Sequence, residues 1–180
     1  CLMVSLFNSE AQTMPLYIGT YTDGNSEGIY RLQFNLKTGE LSNLQFAASS
    51  ENPSYIAFSR NKRFLYAVNE SSGKVSSFKV QENGLLKLLN KVSINCDWPC
   101  HISLNKFSNR AVVSNYGGGS VSIYNISRDW KLDDASQVFE YNSSNQKSHA
   151  HSAQFFNDEL FVSDLGMNAV YQYQLKNNKN

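Results

Sequence analysis

Charge is scarce in this chain and proline scarcer still. Of 180 residues, 17% are Asp, Glu, Lys or Arg, and three are proline. The formal net charge is +1, and no Lys/Arg run interleaves with aromatics. No field or groove for nucleic acid or an acidic membrane surface is therefore expected. No stretch reaches the roughly 18 to 20 apolar residues that span a bilayer, and no segment shows convincing helical periodicity. Cysteines are few. Cys96 and Cys100 stand in CDWPCH with three intervening residues, one too many for the usual haem-attachment spacing. A Cys96–Cys100 disulfide is expected only if the protein is exported. Gly117-Gly118-Gly119 is followed by neither a Gly-Lys-Ser/Thr triplet nor a helix, which favours a tight hairpin over a phosphate loop.

An initiator methionine is also missing from the start, CLMVSLFNSEAQ. An apolar run leads there into Ser9-Glu10-Ala11, with small residues at the −3 and −1 positions of a signal-peptidase site. The expectation is a signal remnant or leader over 1–13 and one domain over 14–180. Cleavage after Ala11 implies export, periplasmic or extracellular. The alternative is an upstream leader with Met14 as the start, and a cytoplasmic protein. A lipid anchor at Cys1 is disfavoured by the apolar residues that follow it.

What the chain does contain is repetition. NPSYIAFSRNKRFLYAVNESSGKVSSFKV (52–80), WPCHISLNKFSNRAVVSNYGGGSVSIYNI (98–126) and HAHSAQFFNDELFVSDLGMNAVYQYQL (149–175) stand in register. Val75, Val121 and Val170 are equivalent, at intervals of 46 and 49 residues, and Asn69, Asn115 and Asp164 keep the same intervals. Part of an earlier copy precedes them. YIGTYT (17–22) matches LYAVNE (65–70), and GIYRLQF (28–34) matches the strand around Val75.

Alternation divides the first full copy into strands over 55–59, 64–69, 75–80 and 85–94, separated by polar turns. In the second copy an outer strand is expected over 135–141, before the loop NSSNQKS (142–148). Four short strands per copy and a period in the high forties predict an all-β fold, a β-propeller of four-stranded blades. About three and a half to four blades are present, the first and last incomplete. A half ring would leave blade edges bare, so the chain is expected to be the N-terminal part of a longer protein. Self-association of two halves is the less favoured alternative.

YIGTYT, the NPSYIAFSRNKRFLYAVNE and PCHISLNKFSNRAVVSNYGGGSVSIY segments, and HAHSAQFF with LFVSDLG resemble the seven-bladed lactonase propellers of the 6-phosphogluconolactonase type. The resemblance runs from about Tyr17 to Leu175. A weaker likeness to the generic YVTN-type repeat carries no chemistry. The lactonase resemblance implies metal-independent hydrolysis of a sugar δ-lactone, with some relatives acting in muconate cycloisomerisation. It also implies an active site at one end of the central channel, with a histidine matching His151. The companion arginine and glutamate belong to later blades, so the fragment alone is expected to be inactive.

Lactone hydrolysis needs an activated water and a stabilised oxyanion. His151 is the candidate general base, since imidazole titrates near neutrality. The alternative is a strand-end histidine bonded to a neighbouring blade. His149 lies two residues away and faces the same side of an extended strand, with Ala150 facing the other. It is expected to be a second catalytic residue that orients the pair or binds substrate.

His101, within Pro-Cys-His, is placed at the same blade position one copy earlier and is expected to line the channel. Glu70 and Tyr116 follow the equivalent asparagines. Turn capping is the favoured role of both, with Glu70 also a candidate acid at the rim. Lys147 is the nearby cation for a phosphate group, or else a solvated loop lysine. Arg63 and Arg110 fall at the opposite blade end and are set aside.

No cofactor and no catalytic metal is expected. The expected partner is a small sugar lactone, with no obligate protein partner evident. Export would favour an unphosphorylated aldonolactone. The rival reading is a non-catalytic propeller that binds a ligand or protein through the same channel.

Overall fold

A computed structural model describes residues 13–94 and 97–175. The leader assigned to 1–13 and the Cys96 half of the expected disulfide thus lie outside the described residues, Thr13 excepted. The chain forms four antiparallel sheets in succession. The first holds β1 (Thr13–Gly19), β2 (Gly28–Asn35) and β3 (Leu41–Ser49). The second holds β4 (Ile56–Phe58), β5 (Phe64–Asn69), β6 (Lys74–Val80) and β7 (Leu86–Ser93). The third holds β8 (Pro99–Leu104), β9 (Arg110–Asn115), β10 (Ser120–Ile126) and β11 (Leu132–Glu140). The fourth holds β12 (Ala150–Phe156), β13 (Glu159–Asp164) and β14 (Ala169–Gln174). A single 3-10 turn, Glu70–Ser72, is the helical element among the described residues.

Each sheet pairs its strands in chain order, as a propeller blade does. The expected all-β architecture is therefore present, with two complete four-stranded blades between two three-stranded ones. Most strand boundaries agree with the sequence reading to within one residue, and two differences affect the packing. The inner strand β4 is shorter than 55–59. The outer strand β11 starts earlier than 135, at Leu132, which is buried against the second blade.

The central strands are buried on both faces, and alternation decides which neighbour each residue meets. In β5, Phe64, Tyr66 and Val68 pack toward the third blade with Val75, Ile102 and Val113. Leu65 and Ala67 turn the other way, toward Ile29 and Phe78. Between the third and fourth blades the same division sets Val112, Val121 and Ile123 against Ala153, Leu160 and Val162. FLYAVN thus reads as an unbroken apolar run because both of its faces are interfaces.

The equivalent polar residues latch the strand ends. Asn69 Nδ2 donates to Ser50 Oγ and the Glu51 carbonyl, and its Oδ1 accepts from Ser76. Asn115 Nδ2 donates to Ser120 and Ser122. Asp164 accepts from Ser148 Oγ and from the amides of His149 and Met167. Burial of polar groups demands such partners, and among these three residues only Asn115 Oδ1 is buried without one.

Candidate active site

The inner strands β8 and β12 each carry a β-bulge near their start. Pro99 pairs with Asn115 and His101 with Ser114, leaving Cys100 as the extra residue. Ala150 pairs with Asp164 and Ser152 with Ser163, leaving His151 as the extra residue. A bulge re-aims the side chain it carries. His151 is therefore exposed at the strand end, while Ala150 is fully buried behind it.

The register corrects one expectation. His151 is equivalent to Cys100, and His101 is equivalent to Ser152, one position along. His101 is 5% exposed, with its ring against Tyr55 at 4.4 Å. The Ala153 amide donates to its Nδ1, and Nε2 faces the side-chain amide of Gln154. Burial, followed by the nearby His151, lowers its pKa to about 4. His101 is a neutral inter-blade histidine under the rim rather than an open wall of the channel.

His149 and His151 do converge, on a residue whose position the sequence reading gave to turn capping. The Tyr116 ring stacks on His149 with centroids 4.4 Å apart at 22°. His151 meets the same ring edge-on at 5.7 Å. His149 Nδ1 lies 3.1 Å from the Tyr116 carbonyl oxygen. Simple alternation predicted a common direction for the two histidines; the bulge at His151 means that their convergence rests on Tyr116 instead.

The rim continues across the earlier blades. Cys100 Sγ lies 3.4 Å from the His151 carbonyl oxygen. Burial first, and then the negative charge of Glu70, push the Cys100 thiol up to about 11. Glu70, half-buried in the 3-10 turn, accepts a hydrogen bond from the Tyr21 hydroxyl at 2.9 Å. Tyr21 belongs to YIGTYT and was not singled out by sequence. Its pairing with Glu70 spans 49 positions and depends on the packing of two blades.

Lys147 is exposed in the loop before β12 and has no ion-pair partner among the described residues. That loop is pinned by Gln146 Nε2, which donates to the Gly166 carbonyl, and by the Ser148 amide, which donates to Asn142 Oδ1. His151 borders a depression of about 540 Å³ with Ser163, Leu165, Asn168 and Val170. Arg110 opens β9 at the end away from Asn115, and Arg63 immediately precedes β5. Both line clefts remote from the histidines, with Phe139 and Tyr173 beside Arg110, and Lys79 and Trp130 beside Arg63. Among the described residues no three His, Cys, Asp or Glu side chains converge as a cation-binding set.

An exposed imidazole beside a second one, with a tyrosine between them and a carboxylate two blades away, can exchange protons with water and accept hydrogen bonds from a hydroxylated ligand. Comparison with known proteins finds relatives named as lactonases. The chain is 31% identical over 170 residues to a 6-phosphogluconolactonase of Bacillus subtilis, covering 89% of this chain and 49% of that protein. It is 33% identical over 174 residues to a 6-phosphogluconolactonase of Formosa agariphila, again covering 89% and 49%. The solved structure of the periplasmic gluconolactonase PpgL of Pseudomonas aeruginosa superposes with a TM-score of 0.84 at 29% identity, over 91% of this chain and 50% of that one. The chain spans about half the length of the curated relatives it matches. Residues 15–180 match the family model described as "Lactonase, 7-bladed beta-propeller", and the chain belongs to that lactonase family.

Proposed function

We propose that the complete protein, to which this chain contributes its N-terminal blades, hydrolyses a sugar δ-lactone to the aldonic acid. The observation that supports this most directly is the exposed His151 on its bulge, at the strand-end rim of a lactonase-family blade. In the reaction, His151 takes a proton from water as the oxygen attacks the lactone carbonyl carbon. The carbonyl oxygen becomes a tetrahedral oxyanion, which reforms the carbonyl as the ring C–O bond breaks. The imidazolium then returns its proton to the departing ring oxygen. One water is consumed and one carboxylic acid formed.

Donors for the oxyanion fall to the later blades, as the family resemblance implies, so this chain by itself is expected to be inactive. The relatives named 6-phosphogluconolactonase favour a phosphorylated lactone, for which Lys147 is this chain's candidate partner. The kinship with a periplasmic gluconolactonase favours an unphosphorylated one if the protein is exported.

The test is hydrolysis of 6-phosphogluconolactone and of gluconolactone by the complete protein, above the spontaneous rate, for wild type and His151→Ala. The expected result is activity on one of them, with kcat reduced about 10²- to 10⁴-fold in the variant. A folded protein inert toward both would overturn the assignment and leave a ligand-binding propeller.

A further inference from the structure

His149 and His151 are neighbours in sequence but are held very differently. Nothing among the described hydrogen bonds restrains the His151 ring, whose one ring contact is edge-on to Tyr116. His149 is fixed on several sides. Its amide donates to Asp164 Oδ1 at 2.9 Å, its ring stacks on Tyr116, and its Nδ1 lies 3.1 Å from the Tyr116 carbonyl oxygen. The opposite edge of the ring is closed by Gly166. A Cβ added there would stand 3.0 Å from His149 Cδ2, 2.8 Å from His149 N and 2.2 Å from the Lys147 carbonyl oxygen. Only a glycine allows the loop after β13 to approach so closely.

The Nδ1 contact has a chemical consequence. A carbonyl oxygen can only accept, so His149 Nδ1 must carry the proton. In the neutral imidazole that leaves Nε2 as the acceptor, its tautomer set by the bond at the other nitrogen. Stacking on Tyr116 fixes the plane in which the Nε2 lone pair lies.

We propose that Tyr116 is a positioning residue: its carbonyl and ring lock His149 with Nε2 as a fixed acceptor for a substrate hydroxyl, while the exposed His151 handles the proton of the attacking water. The proposal rests on the lactonase reading for its substrate and divides the work between the two histidines. A fixed neutral acceptor suits a polyhydroxylated ring, because it rewards one orientation of one hydroxyl. An exposed ring suits the group that must first take a proton and then release it elsewhere.

Two measurements on the complete protein decide this. Long-range ¹H–¹⁵N spectra of the histidine side chains, with His149 assigned by loss of its signals in His149→Gln, report the tautomer directly. The expected pattern is a single Nδ1-protonated form in the wild type and in Tyr116→Phe, and tautomer averaging in Tyr116→Ala, which keeps the main-chain carbonyl but loses the stacked ring that holds the imidazole on it. An Nε2-protonated or averaged His149 in the folded wild type would overturn the proposal, as would a fixed tautomer that survives in Tyr116→Ala.

Kinetics supply the second arm. His149→Ala and Tyr116→Ala are expected to raise KM up to about tenfold, the worth of one hydrogen bond, with kcat little changed, whereas His151→Ala lowers kcat. A collapse of kcat in His149→Ala equal to that in His151→Ala would overturn the division of labour. If the wild type hydrolyses no lactone, the substrate assignment fails, and the spectra still decide whether Tyr116 locks His149.

Discussion

Asp164 holds His149 by the main chain: its Oδ1 accepts the His149 amide proton at 2.9 Å while its other oxygen accepts from Ser148. The same Oδ1 takes the Met167 amide at 3.0 Å. One carboxylate thus joins the end of the 142–148 loop, the start of β12 and the turn after β13. Asn69 and Asn115 occupy the equivalent positions without carrying a charge.

That charge should be visible in acid. Burial alone would raise the Asp164 pKa, but the Ser148 hydroxyl and the amides of His149, Met167 and Gly166 together hold it below its ordinary value. A depressed carboxylate contributes stability that is present above the unfolded pKa, near 4, and is lost as pH falls through the folded one. Denaturant titrations of the complete protein are expected to lose stability below about pH 4, and Asp164→Asn is expected to remove that part of the loss. An unchanged acid limb in Asp164→Asn would show that the latch does not depend on charge.

His101 should act in a higher window. Its folded pKa lies at about 4, well below the unfolded value of 6.5, so protonation disfavours the folded state. The contribution is complete above about pH 6.5 and is lost as pH drops toward 4, with a total on the order of 3 kcal/mol. His101→Gln keeps a polar group between Tyr55 and Gln154 and cannot titrate. Its stability is expected to be flat across this interval, as measured by urea unfolding at closely spaced pH values.

Cys100 should be a sluggish nucleophile. A thiol pushed up to about 11 carries about a hundredfold less thiolate at pH 8 than one with the ordinary value of 9.0. Iodoacetamide labelling at pH 8, followed by peptide mapping to separate Cys100 from Cys1 and Cys96, is expected to modify Cys100 slowest. Glu70→Gln removes the second cause of the shift and should speed that labelling. Equal rates in the two proteins would mean that burial alone sets the thiol.

Leu65 tests the packing between the first two blades. It is fully buried with Ile29, Ala67 and Phe78. Leu65→Ala leaves a cavity there and is expected to cost about 2 to 5 kcal/mol, measured by thermal or urea unfolding. A loss below about 1 kcal/mol would mean that the first blade is not packed on the second as described.

The repeat in the sequence was enough to place nearly every strand, because each copy must bury two faces and the alternation records both. Val75 and Val121, equivalent by sequence, are fully buried at equivalent strand positions. The equivalence of Asn69, Asn115 and Asp164 was legible for the same reason, and so was the placing of Arg63 and Arg110 away from the histidines. The candidate site was only half legible. His149 and His151 stood out because no other copy has a His-Ala-His. Tyr116, which gathers them, looked like a turn residue, and Tyr21 looked like part of a strand end.

Sequence by itself determined the blade pattern, the alternation of its faces and the odd histidines of the last copy, since these follow from local period and composition. Tertiary structure decided which of those histidines is open. A one-residue bulge leaves no mark in composition, yet it shifts His101 into the inter-blade core and turns His151 out. The contacts of Tyr116 with His149, and of Tyr21 with Glu70, join residues 33 and 49 positions apart, and only the packing of whole blades brings them together.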